Sequence, residues 1–283
     1  MKFLPASRLV RNAAENGYAV PSFCMWNAET VDTVLRVASD CRAPVLVMIG
    51  PDEFGLLAPA QMAAVARTVA AKYDVPAGLH LDHGDSLSLV EQCLEADYTS
   101  VMLDFSTRPY AENVAAVRRV VELARPKGAS VEGEIGAIGE IDEVTGEGSS
   151  VFSLTDPDEA KAYVQETGVD MLAVAIGNAH GNYPVRPQLD FELLEKLQEA
   201  VDVPLVLHGG SGTPEEDLRK AISLGVAKVN VASELIRVVR ETLLERWGAG
   251  ELLWTPLALA DATQAMAPVV EKWIRRTGAA GKA

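Results

Sequence analysis

Pro204-Leu205-Val206-Leu207-His208-Gly209-Gly210-Ser211-Gly212-Thr213-Pro214-Glu215-Glu216 sets three signals in a row. The short apolar run Pro204–His208 reads as a fully buried strand, and the glycines after it end that strand. Thr213, Pro214 and two acids then predict a helix over Pro214–Leu224, with Thr213 as its cap, proline in the first turn and acids at the positive end of the dipole. Asp156-Pro157-Asp158-Glu159 opens a helix over Pro157–Thr167 in the same way.

Working outward, this unit recurs along the chain. Strands are expected at Ala19–Phe23, Pro44–Ile49, Ala77–Asp82, Ser100–Leu103, Ser130–Glu134, Met171–Ile176, Pro204–His208 and Ala227–Val231. Helical periods fall at Glu29–Asp40, Pro59–Lys72, Leu87–Ala96, Tyr110–Ala124 and Phe191–Ala200, besides the two above. Strict alternation around eight strands favours an α/β chain folded as a (β/α)8 TIM barrel over an open doubly wound sheet. We expect residues 1–283 to form one barrel domain, with helices from about Ser233 supplying the eighth barrel helix and a C-terminal extension that ends near Arg276. The stretch Gly136–Ser153, rich in glycine and acid, has no such period and reads as a long loop at the barrel mouth.

Composition narrows the function. Twenty-five Lys and Arg against 40 Asp and Glu leave a formal charge of −15, which repels phosphate backbones and anionic lipid, so nucleic acid and membranes are poor partners. Cys24, Cys41 and Cys93 are scattered and odd in number, which speaks against disulfides and thiolate metal sites and for a reducing cytoplasm. No run near the N-terminus approaches the ~18 apolar residues of a membrane span.

Three of the four histidines, His83, His180 and His208, close or follow strands, where a barrel builds its active site. Three imidazoles on one face suit a catalytic zinc with an open fourth position. The strand ends also present Asp82, Asp104, Glu134 and Asn230. His80 lies two residues before Asp82, hence on the same side of its strand, and is placed to orient it. Gly209-Gly210-Ser211-Gly212 and Asn230-Val231-Ala232-Ser233 each precede a helix, so freed amides, two hydroxyls and two helix dipoles can hold a phosphate without lysine.

The motifs His80–His83, Ser130–Gly136, Leu172–Gly181, Leu205–Gly212 and Lys228–Ser233 resemble, in order, those of the class II, zinc-dependent ketose-bisphosphate aldolases, nearest to the tagatose- and fructose-bisphosphate enzymes. Gly17–Pro21 fits too, so the resemblance runs from the N-terminus to about Ser233. It implies retro-aldol cleavage of a phosphorylated ketose to dihydroxyacetone phosphate and an aldehyde. It also implies one catalytic Zn2+ on His83, His180 and His208, with Glu134 an alternate ligand, and leaves open a second divalent or monovalent cation. Asp82 matches the acid/base at the C4 hydroxyl; Gly181, Gly209, Gly210, Ser211, Asn230, Val231, Ala232 and Ser233 match the phosphate-binding positions. A homodimer or tetramer is implied as well. The family's pattern is broken at Cys24, usually asparagine, at Thr107, often histidine, and at Asp142, which stands where a glutamate moves the C3 proton. Glu140 and Glu143 flank Asp142 as substitutes, and Arg42, Arg108 and Arg186 are the candidates for a second phosphate. Two rival readings remain: a metal-dependent sugar-phosphate isomerase or epimerase, and a catalytically silent barrel subunit.

Overall fold

The structure, a computed structural model, describes residues 3–55, 57–140, 152–181, 188–248 and 254–283. Eight parallel strands close a barrel: β1 (Val20–Cys24), β2 (Val45–Ile49), β3 (Ala77–Gly84), β4 (Ser100–Leu103), β5 (Ser130–Ile135), β6 (Met171–Val174), β7 (Leu205–Leu207) and β8 (Val226–Val231). Each pairs with its neighbour in sequence, and β8 returns to β1 through Val20–Phe23 against Lys228–Val231. Such continuous apolar strands are buried on both faces: the helices cover the outside, and side chains fill the inside.

The helices are α1 (Ala6–Glu15), α2 (Ala28–Asp40), α3 (Pro59–Ala70), α4 (Leu87–Glu95), α5 (Tyr110–Ala124), α6 (Pro157–Thr167), α7 (Phe191–Ala200), α8 (Glu215–Ser223), α9 (Ser233–Gly248) and α10 (Thr255–Arg276). The (β/α)8 barrel with C-terminal helices is therefore present, with α10 packed against α9 and α2. No described helix is long and apolar enough to cross a membrane.

Several local expectations need correction. Helix α1 was not foreseen: Arg8, Arg11, Asn12 and Glu15 break any apolar run, yet Leu9, Val10 and Ala13 form a buried stripe. It sits beneath the barrel, where the Ser7 N–H donates to Ser130 Oγ at 2.9 Å. Thr213 does not cap α8; Pro214 holds that position without a side-chain bond, so the helix starts at Glu215. Asp156 does cap α6, accepting from the amides of Asp158 and Glu159. The stretch after β5 is not wholly without strand pairing. Ala137 bridges Ser153, and Gly139–Glu140 pairs with Ala179–His180. Two-residue ladders such as these depend on tertiary contact and leave no period in sequence. Arg42 lies just before β2, at the opposite end of the barrel from the strand C-termini, so it cannot meet a substrate there.

Candidate active site

Strand β3 carries the first half of the site. Its register against β4 slips between Leu81 and Gly84, and His83 adopts φ 45°, a left-handed backbone uncommon outside glycine. The bulge turns both Asp82 and His83 to the barrel mouth, where strict alternation would have separated them. Below them, His80 is fully buried, bonded through Nδ1 to Ser100 Oγ at 2.9 Å, with Nε2 3.6 Å from Asp82 Oδ1. The expected His80–Asp82 pairing is thus present.

His83, His180 and His208 come together from β3, the segment after β6 and the end of β7, with one ring nitrogen of each within 4.8 Å of the others. Carboxylates decide which nitrogens face inward. His83 Nδ1 is 2.7 Å from Asp104 Oδ2, which leaves Nε2 pointing inward; His208 Nε2 is 2.7 Å from Glu132 Oε1, which leaves Nδ1. Those two inward nitrogens lie 2.8 Å apart. His180 Nε2 is buried and has no hydrogen-bond partner among the described residues. A buried imidazole nitrogen with nothing to bond is costly in a finished protein interior, and a cation ligated there removes the cost. The donor set therefore fits a zinc of the three-histidine type.

Acidic groups around this centre differ by environment. Burial works to raise the Asp82 carboxyl, but the nearby His83 charge and the His80 bond outweigh it and hold the group well below the usual range. Asn230 Nδ2 donates to Asp82 Oδ1 at 2.8 Å and fixes its orientation. Glu134 behaves oppositely: burial, then the Asp104 charge, push it up to about 8. Its Oε2 is buried, has no hydrogen-bond partner among the described residues and lies 3.6 Å from His208 Nδ1. Burial pulls His180 down to about 3, whereas the surrounding carboxylates, Asp82 foremost, overcome burial and push His83 up to about 10.

Two residues that sequence reading left out of the site, Glu132 and Lys228, support it from inside the barrel. Both are fully buried; Lys228 Nζ is 2.8 Å from Glu132 Oε2 and 3.5 Å from His80 Nε2. Their signal was available in the period of two, since Glu132 shares a strand side with Glu134 and Lys228 with Asn230. Asp104 is a further support, its second oxygen accepting from the Ser106 amide and hydroxyl.

At the mouth, Gly181, Gly209 and Gly212 all have positive φ. A Cβ on Gly209 would stand 1.8 Å from the Ala179 carbonyl oxygen, so only glycine lets this turn pass the His180 segment. The Gly210 amide donates to the Asn230 carbonyl, and Ser211 Oγ accepts from the Glu234 amide, which ties the turn after β7 to the start of α9. Val231 is buried in the core, so only its backbone faces the site; Ala232 and Ser233 follow at the N-terminus of α9. Cys24, at the end of β1, is buried and donates to Glu53 Oε1 at 3.3 Å. Arg108 lies on the correct face, beyond β4, stacked over Phe105. Asp142, Glu143, Arg186 and the side chain of Glu140 lie outside the described residues.

The model of the class-II fructose-bisphosphate aldolase family matches residues 5–282. The chain belongs to this family. It is 32% identical to the YdjI aldolase of Escherichia coli K12, over 100% of both chains and with a TM-score of 0.88. A Coccidioides immitis structure assigned as a fructose-1,6-bisphosphate aldolase is equally similar, at 32% identity and TM-score 0.88 over 100% of this chain and 99% of the other. The fructose-bisphosphate aldolase of Campylobacter jejuni, 21% identical with a TM-score of 0.82, covers 98% of this chain and 95% of its own, and shares the fold. This aldolase is thus a carbon–carbon lyase, which sets aside both the isomerase and the silent-subunit readings.

Proposed function

We propose that this aldolase is zinc-dependent and cleaves a phosphorylated ketose, of the fructose or tagatose 1,6-bisphosphate type, to dihydroxyacetone phosphate and an aldehyde. The observation that carries the reading is the convergence of His83, His180 and His208 beside an ionised Asp82 that Asn230 holds in place. The three histidines would hold the zinc, with Glu134 close enough to exchange onto it. When bound, the metal supplies a Lewis acid for charge that develops on the substrate's oxygens.

Asp82, ionised and oriented, takes the proton of the C4 hydroxyl as the C3–C4 bond breaks, and returns it in the condensation direction. The Gly209–Gly212 turn, Ser211 and the N-terminus of α9 with Ser233 receive the phosphate, with Gly181 lining the approach. In this reading, exchange of the C3 proton falls to a carboxylate of the loop after β5: Asp142, or Glu140 or Glu143 beside it. The pairing of Gly139–Glu140 with Ala179–His180 anchors the base of that loop next to a metal ligand and favours this assignment.

A panel of phosphorylated ketoses with detection of triose phosphate tests the reading. We expect cleavage that chelation abolishes and zinc restores. Full activity without metal, or no cleavage of any phosphorylated ketose, would sink it.

A further inference from the structure

Building on the phosphate site proposed above, we infer that Glu234 and the end of α10 form a positioning clamp that sets the shape of the Gly209–Thr213 turn. Glu234 lies in the first turn of α9, where an acid ordinarily serves its own helix's amides. Its carboxylate turns elsewhere. Oε1 accepts from the Gly212 amide at 3.3 Å, and Oε2 accepts from Trp273 Nε1 and Lys272 Nζ, both at 3.1 Å. The amide of Glu234 in turn donates to Ser211 Oγ at 3.2 Å. A second arm comes from Arg276, whose guanidinium donates to the Thr213 carbonyl and stacks 4.2 Å from the Trp273 ring centre. Trp273 is fully buried, so the clamp is anchored in the core and not in solvent.

The turn needs such an anchor. Gly209 and Gly212 sit at φ 63° and 83°, and glycine at both positions leaves the free chain many conformations. Amides that must meet a phosphate bind it weakly if ordering them is left to the binding event. Glu234 orders the turn beforehand, and its charge is balanced by Lys272, so it adds little repulsion toward an anion. Burial opposes its ionisation, yet the Trp273 and Lys272 bonds hold it below the ordinary glutamate range. Helix α10, on the outside of the barrel against α2 and α9, thereby determines how well the mouth grips phosphate.

The test is calorimetric titration of the zinc-loaded enzyme with inorganic phosphate, in parallel with steady-state kinetics. Glu234→Ala should bind phosphate about ten-fold more weakly and raise KM by a similar factor, with kcat within about two-fold and zinc content unchanged. Glu234→Gln keeps a single acceptor oxygen and must set its NH2 against either the Gly212 amide or the Trp273 and Lys272 donors, so it should recover only part of the affinity. Parental phosphate affinity in Glu234→Ala, or a fall in kcat at constant KM, overturns the inference. Should Glu234→Ala not fold, Trp273→Phe removes one N–H while keeping the ring; parental phosphate affinity there is equally fatal. Because phosphate is the probe, the clamp is decided even if the parent enzyme cleaves none of the ketoses tried. A parent that binds no phosphate overturns the clamp along with the site.

Discussion

Glu132→Gln separates metal binding from barrel stability. The carboxylate is fully buried, with one oxygen 2.7 Å from His208 Nε2 and the other 2.8 Å from Lys228 Nζ. Glutamine can still accept from His208, but it no longer offers a charge that strengthens the imidazole as a ligand. Loss of such an outer carboxylate typically weakens zinc by 10–100-fold, or ~1.4–2.7 kcal/mol. Lys228 meanwhile loses its nearest carboxylate inside the barrel. Breaking a buried pair costs ~3–5 kcal/mol, and Asp82, near enough to feel the Lys228 charge, keeps the expected loss at the lower end. At ~2 °C per kcal/mol for a chain of this size, the apoprotein should melt ~6 °C lower. Adding Lys228→Met removes the stranded charge, so the double variant should regain most of the melting temperature and none of the zinc affinity. Competition with a chromophoric chelator and thermal melts of the apoprotein read the two effects separately. Parental zinc affinity in Glu132→Gln, or its recovery in the double variant, would refute the assignment of Glu132 to His208.

Asp82→Asn should lower cleavage by ~10²–10⁴ with zinc still bound; metal analysis beside the assay decides it, since loss of zinc would make Asp82 a ligand. His83→Ala, His180→Ala and His208→Ala should each lower zinc content measured by atomic absorption, and a variant that holds zinc at the parental level is not a ligand. Zinc binding at pH 7 should release at least one proton, because His83, pushed up to about 10, and Glu134, pushed up to about 8, both carry protons in the apoprotein; calorimetry in buffers of different ionisation enthalpy counts them. For Glu134 the folded value lies above the unfolded one, so its contribution is fully present below about pH 4.5 and is lost as pH rises towards 8. The apo Glu134→Gln variant should therefore gain in melting temperature over the parent across that window, and a gap independent of pH would contradict it. Replacing Glu140, Asp142 and Glu143 singly with Ala should abolish deuterium exchange into dihydroxyacetone phosphate in one variant; parental exchange in all three would move the role to Glu134.

Much of the architecture was legible before folding. Strand β4 and helices α5, α6 and α7 fall where local signals put them, because apolar runs and helical periods act within one element. That His83, His180, His208 and Asp82 meet at one mouth was legible for a chemical reason: few residue types can serve as metal ligands or as an acid/base, and in a barrel all strand C-termini share one face. Helix α1 and the Thr213 cap were misread because each depends on what lies across from it. Leu9, Val10 and Ala13 have meaning only under the barrel floor, and the Thr213 carbonyl is engaged by Arg276 from α10.

The amino-acid sequence by itself determined the barrel, the set of donors and the glycines that let the mouth close up, since these follow from side-chain chemistry and backbone freedom. Only the tertiary structure decided which ring nitrogens of His83 and His208 face inward, that Asp82 is held low while burial pushes Glu134 up, and that Glu132 and Lys228 pair within the barrel. Those outcomes depend on distances between β3, β5, β7 and β8, and on how little water reaches them. No local stretch of chain encodes either quantity.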